Sequence, residues 1–190
     1  GILLQSLEHM KKLVMIDGKA FAFEKSFPYQ LVSADTQILA FDDVKKYFDF
    51  ERLFSVVTEG LTLEKKNKDA IKIPFNKSPK VIITTNYPIK GSGASFARRR
   101  WELELATHYT ETYTPTHEFG KFLFGEEWEE EDWCKFDDYM IKCIQLYLKE
   151  GLIESDSVNA DKKRLIINTN SDFIESVSYT HLTLPTRLSV

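Results

Sequence analysis

Apolar and polar positions alternate with clear changes of period along the chain. Ile2, Leu3, Leu7, Met10 and Leu13 recur at helical spacing, with Gln5, Glu8 and Lys12 off that face, so a helix is predicted first. Val14-Met15-Ile16 before Asp17-Gly18 predicts a short strand and a turn. Residues 19–35 are mixed and aromatic and predict no element. The stretch from Thr36 to Phe41 is nearly continuous in apolar residues, as in a strand covered on both faces, and it ends in Asp42 and Asp43. Asp49 then caps a predicted helix with Phe50, Leu53, Phe54 and Val57 as its stripe and Gly60 as its stop. Alternation at Leu61 and Leu63, a polar tip at Asn67-Lys68-Asp69, and alternation at Ile71, Ile73 and Phe75 predict a β-hairpin.

Lys80 leads into a second strongly apolar strand, Val81 to Thr85, followed by Asn86. Gly91 to Ser95 reads as a flexible loop, and Trp101, Leu103 and Leu105 alternate as a further strand over 101–107. Six acids surround Trp128 in residues 126–132. They precede the clearest helix, with Trp133, Phe136, Met140, Cys143, Ile144, Tyr147 and Leu148 on one face and Gly151 as stop. Acids at that N-terminus suit the helix dipole, which accounts for them without a metal. Residues 152–175 form a small mixed appendage with Leu165-Ile166-Ile167 as a strand.

Composition narrows the class. The 190 residues suit one domain, or one plus an appendage, and 43 % apolar content is enough for a buried core. No run approaches the roughly 20 apolar residues of a membrane span. His9, Lys11 and Lys12 interrupt the first apolar pattern, which argues against a secretory leader. Cys134 and Cys143 stand too far apart on one helix to bridge, and the four histidines form no ligand cluster. A reducing, cytoplasmic setting without a structural metal is expected. The net charge of −4 is unevenly spread: between Gly60 and Arg100, seven Lys and three Arg face only Glu64 and Asp69. That basic segment reads either as solvated surface or as a face for a polyanion.

Four groups carry candidate chemistry. Adjacent Asp42 and Asp43 at a strand end either form a polar turn or hold Mg²⁺ through one carboxylate and orient an attacking water through the other. Strand logic gives the metal to Asp42 and the water to Asp43, without fixing it. Asn86 is either a turn residue before Tyr87-Pro88 or a neutral amide that senses a terminal phosphate. In the triplet Arg98-Arg99-Arg100, a solvated basic turn competes with an arginine finger, which one or two of the three could supply. Lys65, Lys66 and Lys68 either guard an edge hairpin or grip a nucleic-acid backbone without regard to sequence. Gly18-Lys19-Ala20 lacks an earlier glycine and a following hydroxyl, so it is rejected as a phosphate-binding loop.

Up to about residue 175 the chain resembles the superfamily 3 helicases, AAA+-related motors of small viruses, phages and plasmids. Within them it is most similar to the helicase part of phage or plasmid primase-helicases. The resemblance rests on ILAFDD (38–43), TEGLTLEKKNKDAIKIPF (58–75) and SPKVIITTNYPIKGSGASFARRR (78–100). It implies that the first is Walker B, that the second is the B′ region with its DNA-gripping hairpin, and that the third holds the sensor-1 asparagine, Asn86, and the finger arginine, Arg98 or Arg99. The implied fold is a RecA/AAA+-like P-loop NTPase core over 1–125, with a partial parallel sheet, flanking helices and a hairpin insertion. A helical extension follows over 126–175, then a tail over 176–190 whose VSYTHLTLPTRLSV is similar to sequencing-adaptor read-through. The implied cofactors are ATP and Mg²⁺; the implied partners are DNA and further copies of the chain in a ring-shaped homohexamer, in the cytoplasm of a bacterial host. In that family the phosphate-binding loop precedes Walker B, which would place it at or upstream of Gly1, so the chain is expected to be a truncated piece that hydrolyses ATP poorly by itself. An AAA+ ATPase that remodels or loads without unwinding, a non-catalytic DNA-binding module and a purely structural interaction protein are the rival expectations.

Overall fold

The computed structural model describes residues 2–89, 91 and 93–153. The strand expected at Leu165-Ile166-Ile167 and the tail from 176 lie outside the described residues. The chain is mixed α/β, a small parallel sheet with helices around it. Helix α1 (Ile2–Met10) leads into β1 (Leu13–Asp17); β2 follows at Ile38–Asp42. A 3-10 turn over Phe50–Leu53 runs into α2 (Phe54–Thr58), and β3 (Gly60–Lys65) and β4 (Lys68–Pro74) form the hairpin. The third parallel strand is β5 (Lys80–Ile83), followed by α3 (Ala94–Ala97), α4 (Pro115–Phe119) and α5 (Glu130–Glu150). Among the described residues no helix is long and apolar enough to cross a membrane.

β2 is the centre of the parallel sheet, between β1 and β5. Central position explains its composition. Both faces of the strand are covered, and Ile38, Leu39, Ala40 and Phe41 are all buried, so no polar alternation survives. Leu39 and Phe41 project into one core with Val44, Leu53, Val56, Leu61, Leu63 and Ile73. The segment that predicted no element contributes to that core without regular structure. Phe21 lies edge-on to Phe41 at 4.8 Å between ring centroids, and Phe23, Tyr29 and Val32 pack beside it.

The hairpin is present, with Leu61 opposite Ile73 and Leu63 opposite Ile71. Its tip falls one residue earlier than expected. Lys65 pairs with Lys68, so the two-residue turn is Lys66-Asn67, with Asn67 in the left-handed region at φ 57°. Gly60 does not cap α2, whose C-cap is Glu59; it opens β3 instead. A Cβ at Gly60 would stand 2.2 Å from the Ile73 carbonyl oxygen, so the close pairing with β4 requires glycine there.

The strand expected over 101–107 is not formed. Its alternation is real, but Trp101, Leu103 and Leu105 are 49, 48 and 72 % exposed, while Glu102 and Glu104 are half-buried. An alternating segment becomes a strand only where a sheet edge takes its backbone, and here Glu102 instead pairs with Arg100 at 3.5 Å. α5 carries a capping box between Glu129 and Asp132 and ends at Gly151, as expected. Its first turns join Trp133 and Phe136 to Phe124, Trp128 and His9, the last stacked on Trp133 at 4.2 Å. Farther along, Ile144, Tyr147 and Leu148 stay 45 to 76 % exposed, so the expected apolar face is only half covered. Cys134 and Cys143 are free thiols.

Candidate active site at the sheet edge

Parallel strands point the same way, so their C-terminal ends share one edge, the usual place for a site in open α/β sheets. Here Asp17 is level with Asp42, and Phe41 is level with Ile83, so Thr84 emerges beside Asp42. The ladder continues past the strands: Thr84 N–H donates to the Phe41 carbonyl at 3.0 Å and Val44 N–H to the Thr84 carbonyl at 3.0 Å. Thr84 then serves both aspartates. Its hydroxyl donates to Asp42 Oδ1 at 2.6 Å and accepts from the Asp43 backbone N–H at 2.8 Å.

Asp43 sits at φ 53°, a left-handed conformation that aspartate tolerates at a small cost. That turn carries its carboxylate to two partners. Asn86 Nδ2 donates to Asp43 Oδ1 over a long 3.4 Å, and Lys19 Nζ pairs with Asp43 Oδ2. The three expected residues Asp42, Asp43 and Asn86 therefore meet, although 43 residues separate Asp43 from Asn86.

Lys19 is the residue that sequence reasoning missed. It comes from the Gly18-Lys19-Ala20 turn, which is no phosphate-binding loop yet delivers a cation to the same edge. The turn is held closely. Gly18 N–H donates to the Asp42 carbonyl at 2.7 Å, and Asp17 Oδ1 accepts from Lys19 N–H at 2.8 Å and Ala20 N–H at 3.2 Å. A Cβ on Gly18 would stand 2.5 Å from Val44 Cγ1 and 2.7 Å from the Asp42 carbonyl oxygen. The hydrogen bond and charge of Asp43 raise the Lys19 pKa above its ordinary value. The only signal in the sequence was that Val14-Met15-Ile16 ends in Asp-Gly, a strand end that parallel pairing could place beside Asp42.

Among the described residues no group of three or more His, Cys, Asp or Glu is placed to hold a metal ion. Two adjacent carboxylates still fit Mg²⁺, which keeps most of its shell as water and phosphate oxygens. They do not fit a closed zinc site, which needs four nitrogen or sulfur ligands.

The arginines contact other residues, and they differ from one another. Arg98 is exposed and donates through Nε to the Ala94 carbonyl at 3.3 Å. Arg99 is half-buried; it donates to Ser95 O at 3.0 Å and Oγ at 2.6 Å and lies over the Phe54 ring at 5.0 Å. Phe54 is itself set against the buried Phe96 of α3. These contacts leave Arg98 the less committed of the two.

Lys65, Lys66 and Lys68 stand on the separate two-stranded sheet, with Lys66 and Lys68 exposed. Lys65 directly opposite Lys68 is a like-charge pair, an arrangement that weakens a hairpin. Two surface hollows, one beside Val56, Phe75 and Val81 and one beside Gln5, His9 and Trp133, lie away from the sheet edge. No protein-family model matches the chain, and no similar curated protein or solved structure is found.

Proposed function

We propose that the chain is a piece of the ATPase core of an ATP-dependent DNA helicase of the superfamily 3 type, RecA/AAA+-like in fold. The observation that carries this reading is the cluster of Asp42, Asp43, Thr84 and Asn86 at the C-terminal ends of two adjacent parallel strands. Phosphoryl transfer demands little covalent chemistry of a protein; it demands positioning and charge. Mg²⁺, when bound with ATP, neutralises phosphate charge at this edge.

The side chains divide the remaining work. Asp42, oriented by the Thr84 hydroxyl, would hold the metal directly, with Asp43 reaching it through water. Asp43, turned out by its left-handed backbone, orients the attacking water and accepts its proton. Asn86 touches Asp43 and stands one residue beyond Thr85, which ties the loop to the Val44 carbonyl at 3.4 Å, so a change at the phosphate reaches both strands. Arg98 supplies the cation that a neighbouring copy in a homohexamer presents to the phosphates. The lysine hairpin holds the backbone of single-stranded DNA, which explains why like charges are tolerated face to face.

The test is ATP hydrolysis by the protein as its gene encodes it, with and without single-stranded DNA. Hydrolysis stimulated by DNA, and lost in Asp43→Asn while fluorescent-nucleotide binding persists, is expected. Full turnover in Asp43→Asn overturns the assignment. Salt-dependent DNA binding without any hydrolysis selects instead a non-catalytic DNA-binding module, which needs the hairpin but not the sheet edge.

A further inference from the structure

Adjacent carboxylates repel each other, and a cation beside either one eases that repulsion. In this structure Lys19 places its ammonium beside Asp43. Its backbone has little freedom: Gly18 lies against the end of β2, and Asp17 accepts from two successive N–H groups of the turn. The ammonium spans from the β1 edge to Asp43 Oδ2, beside the amide of Asn86 on Oδ1. No step of the reaction outlined above uses it.

We propose that Lys19 is a tethered counter-ion of Asp43 that a divalent cation displaces when it binds. The inference rests on the metal-binding reading of Asp42 and Asp43. Exposure decides between a latch and a lock. The Lys19 side chain is 63 % exposed and that of Asp43 38 %, so water screens the pair and makes it weak enough to give way. Once displaced, the ammonium stays on its short loop beside the metal, where it can pair with the anion that arrives with it. Lys19 is thus a positioning residue: it keeps Asp43 in place before the metal arrives and sets how readily the site fills.

The experiment is titration of the chain with Mn²⁺ alone, followed by electron paramagnetic resonance, with no nucleotide present. Lys19→Met keeps the aliphatic stem and removes the charge. It should bind Mn²⁺ about two- to five-fold more tightly than wild type, the range expected on losing an exposed ion-pair competitor. Lys19→Arg should bind like wild type, and Asp43→Asn should lose the site. A purely structural role for Lys19 predicts the opposite, an unchanged or weaker Mn²⁺ affinity in Lys19→Met together with a lower melting temperature. Asp43-dependent binding that is not tighter in Lys19→Met overturns the displacement proposal and leaves the metal site standing. Absence of Asp43-dependent binding in all of them overturns both.

Discussion

Thr84 is the point at which stability and chemistry can be separated. Thr84→Val conserves shape and removes only the hydroxyl. Two hydrogen bonds go with it: the 2.6 Å bond donated to Asp42 and the 2.8 Å bond accepted from the Asp43 N–H. A bond to a charged group contributes ~1.5–3 kcal/mol and a neutral one ~0.5–1.5 kcal/mol. Both groups are only half-buried, so water replaces part of the loss and the lower ends apply, about 2 kcal/mol together. For a chain of 190 residues that corresponds to a fall of about 4–8 °C in melting temperature. The same substitution frees the strained turn at Asp43, whose left-handed backbone then has one tie fewer. Thermal and urea unfolding, followed by circular dichroism on wild type, Thr84→Val and Thr84→Ser, measure the effect. The serine variant keeps the hydroxyl and should recover most of the stability. A valine variant within ~0.5 kcal/mol of wild type would refute the view that this hydroxyl organises the edge.

Replacing Lys65, Lys66 and Lys68 together by Ala should weaken single-stranded DNA binding and flatten its dependence on salt, with the slope of log K against log salt smaller by about 2, as expected for three lost phosphate contacts; an unchanged slope removes the hairpin from the DNA interface. Gly18→Ala forces a Cβ within 2.7 Å of the Asp42 carbonyl oxygen and within 2.5 Å of Val44, so it should lower stability by about 1–3 kcal/mol in urea unfolding, and a neutral result would place the turn farther from β2. Asp35 accepts from the Lys12 ammonium and the Ser33 hydroxyl, which hold its carboxyl down at about 2. A depressed carboxyl stabilises the fold above its ordinary value near 4, and that contribution is lost as pH falls towards 2. Asp35→Asn should therefore be less stable than wild type at neutral pH, with the difference closing over that window in acid-unfolding curves.

Much of the architecture could be read from period alone. β1, β2, β5, the hairpin and α5 each carry a run whose apolar spacing admits one regular structure. The meeting of Asp43 with Asn86 was readable for the same reason, since two buried strands of one parallel sheet bring their C-terminal ends to one edge. Residues 19–35 were not readable because Phe21, Phe23 and Tyr29 enter the core from irregular backbone, which has no period. The stretch 101–107 misled because alternation states what a strand would bury, while the strand itself depends on an available edge. Lys19 escaped notice because its place depends on which strand lies beside β2, a fact of pairing that local spacing does not encode. The difference between Arg98 and Arg99 likewise depends on Phe54, which reaches Arg99 from another helix.

The spacing of the strands along the chain has a kinetic consequence. The β3–β4 hairpin closes through a two-residue turn and should form on the microsecond scale, whereas the hydrogen bonds that join Asp42, Asp43 and Thr84 close loops of 41 and 42 residues. Folding should therefore proceed from the excursion inwards, with the carboxylate edge assembled late and lost early. Pulse-labelling amide exchange would reveal this order as earlier protection at Leu61 and Ile73 than at Asp43 and Thr84. If the hairpin grips a polyanion and the sheet edge turns over a nucleotide, as proposed, a newly made chain would acquire the first capacity before the second.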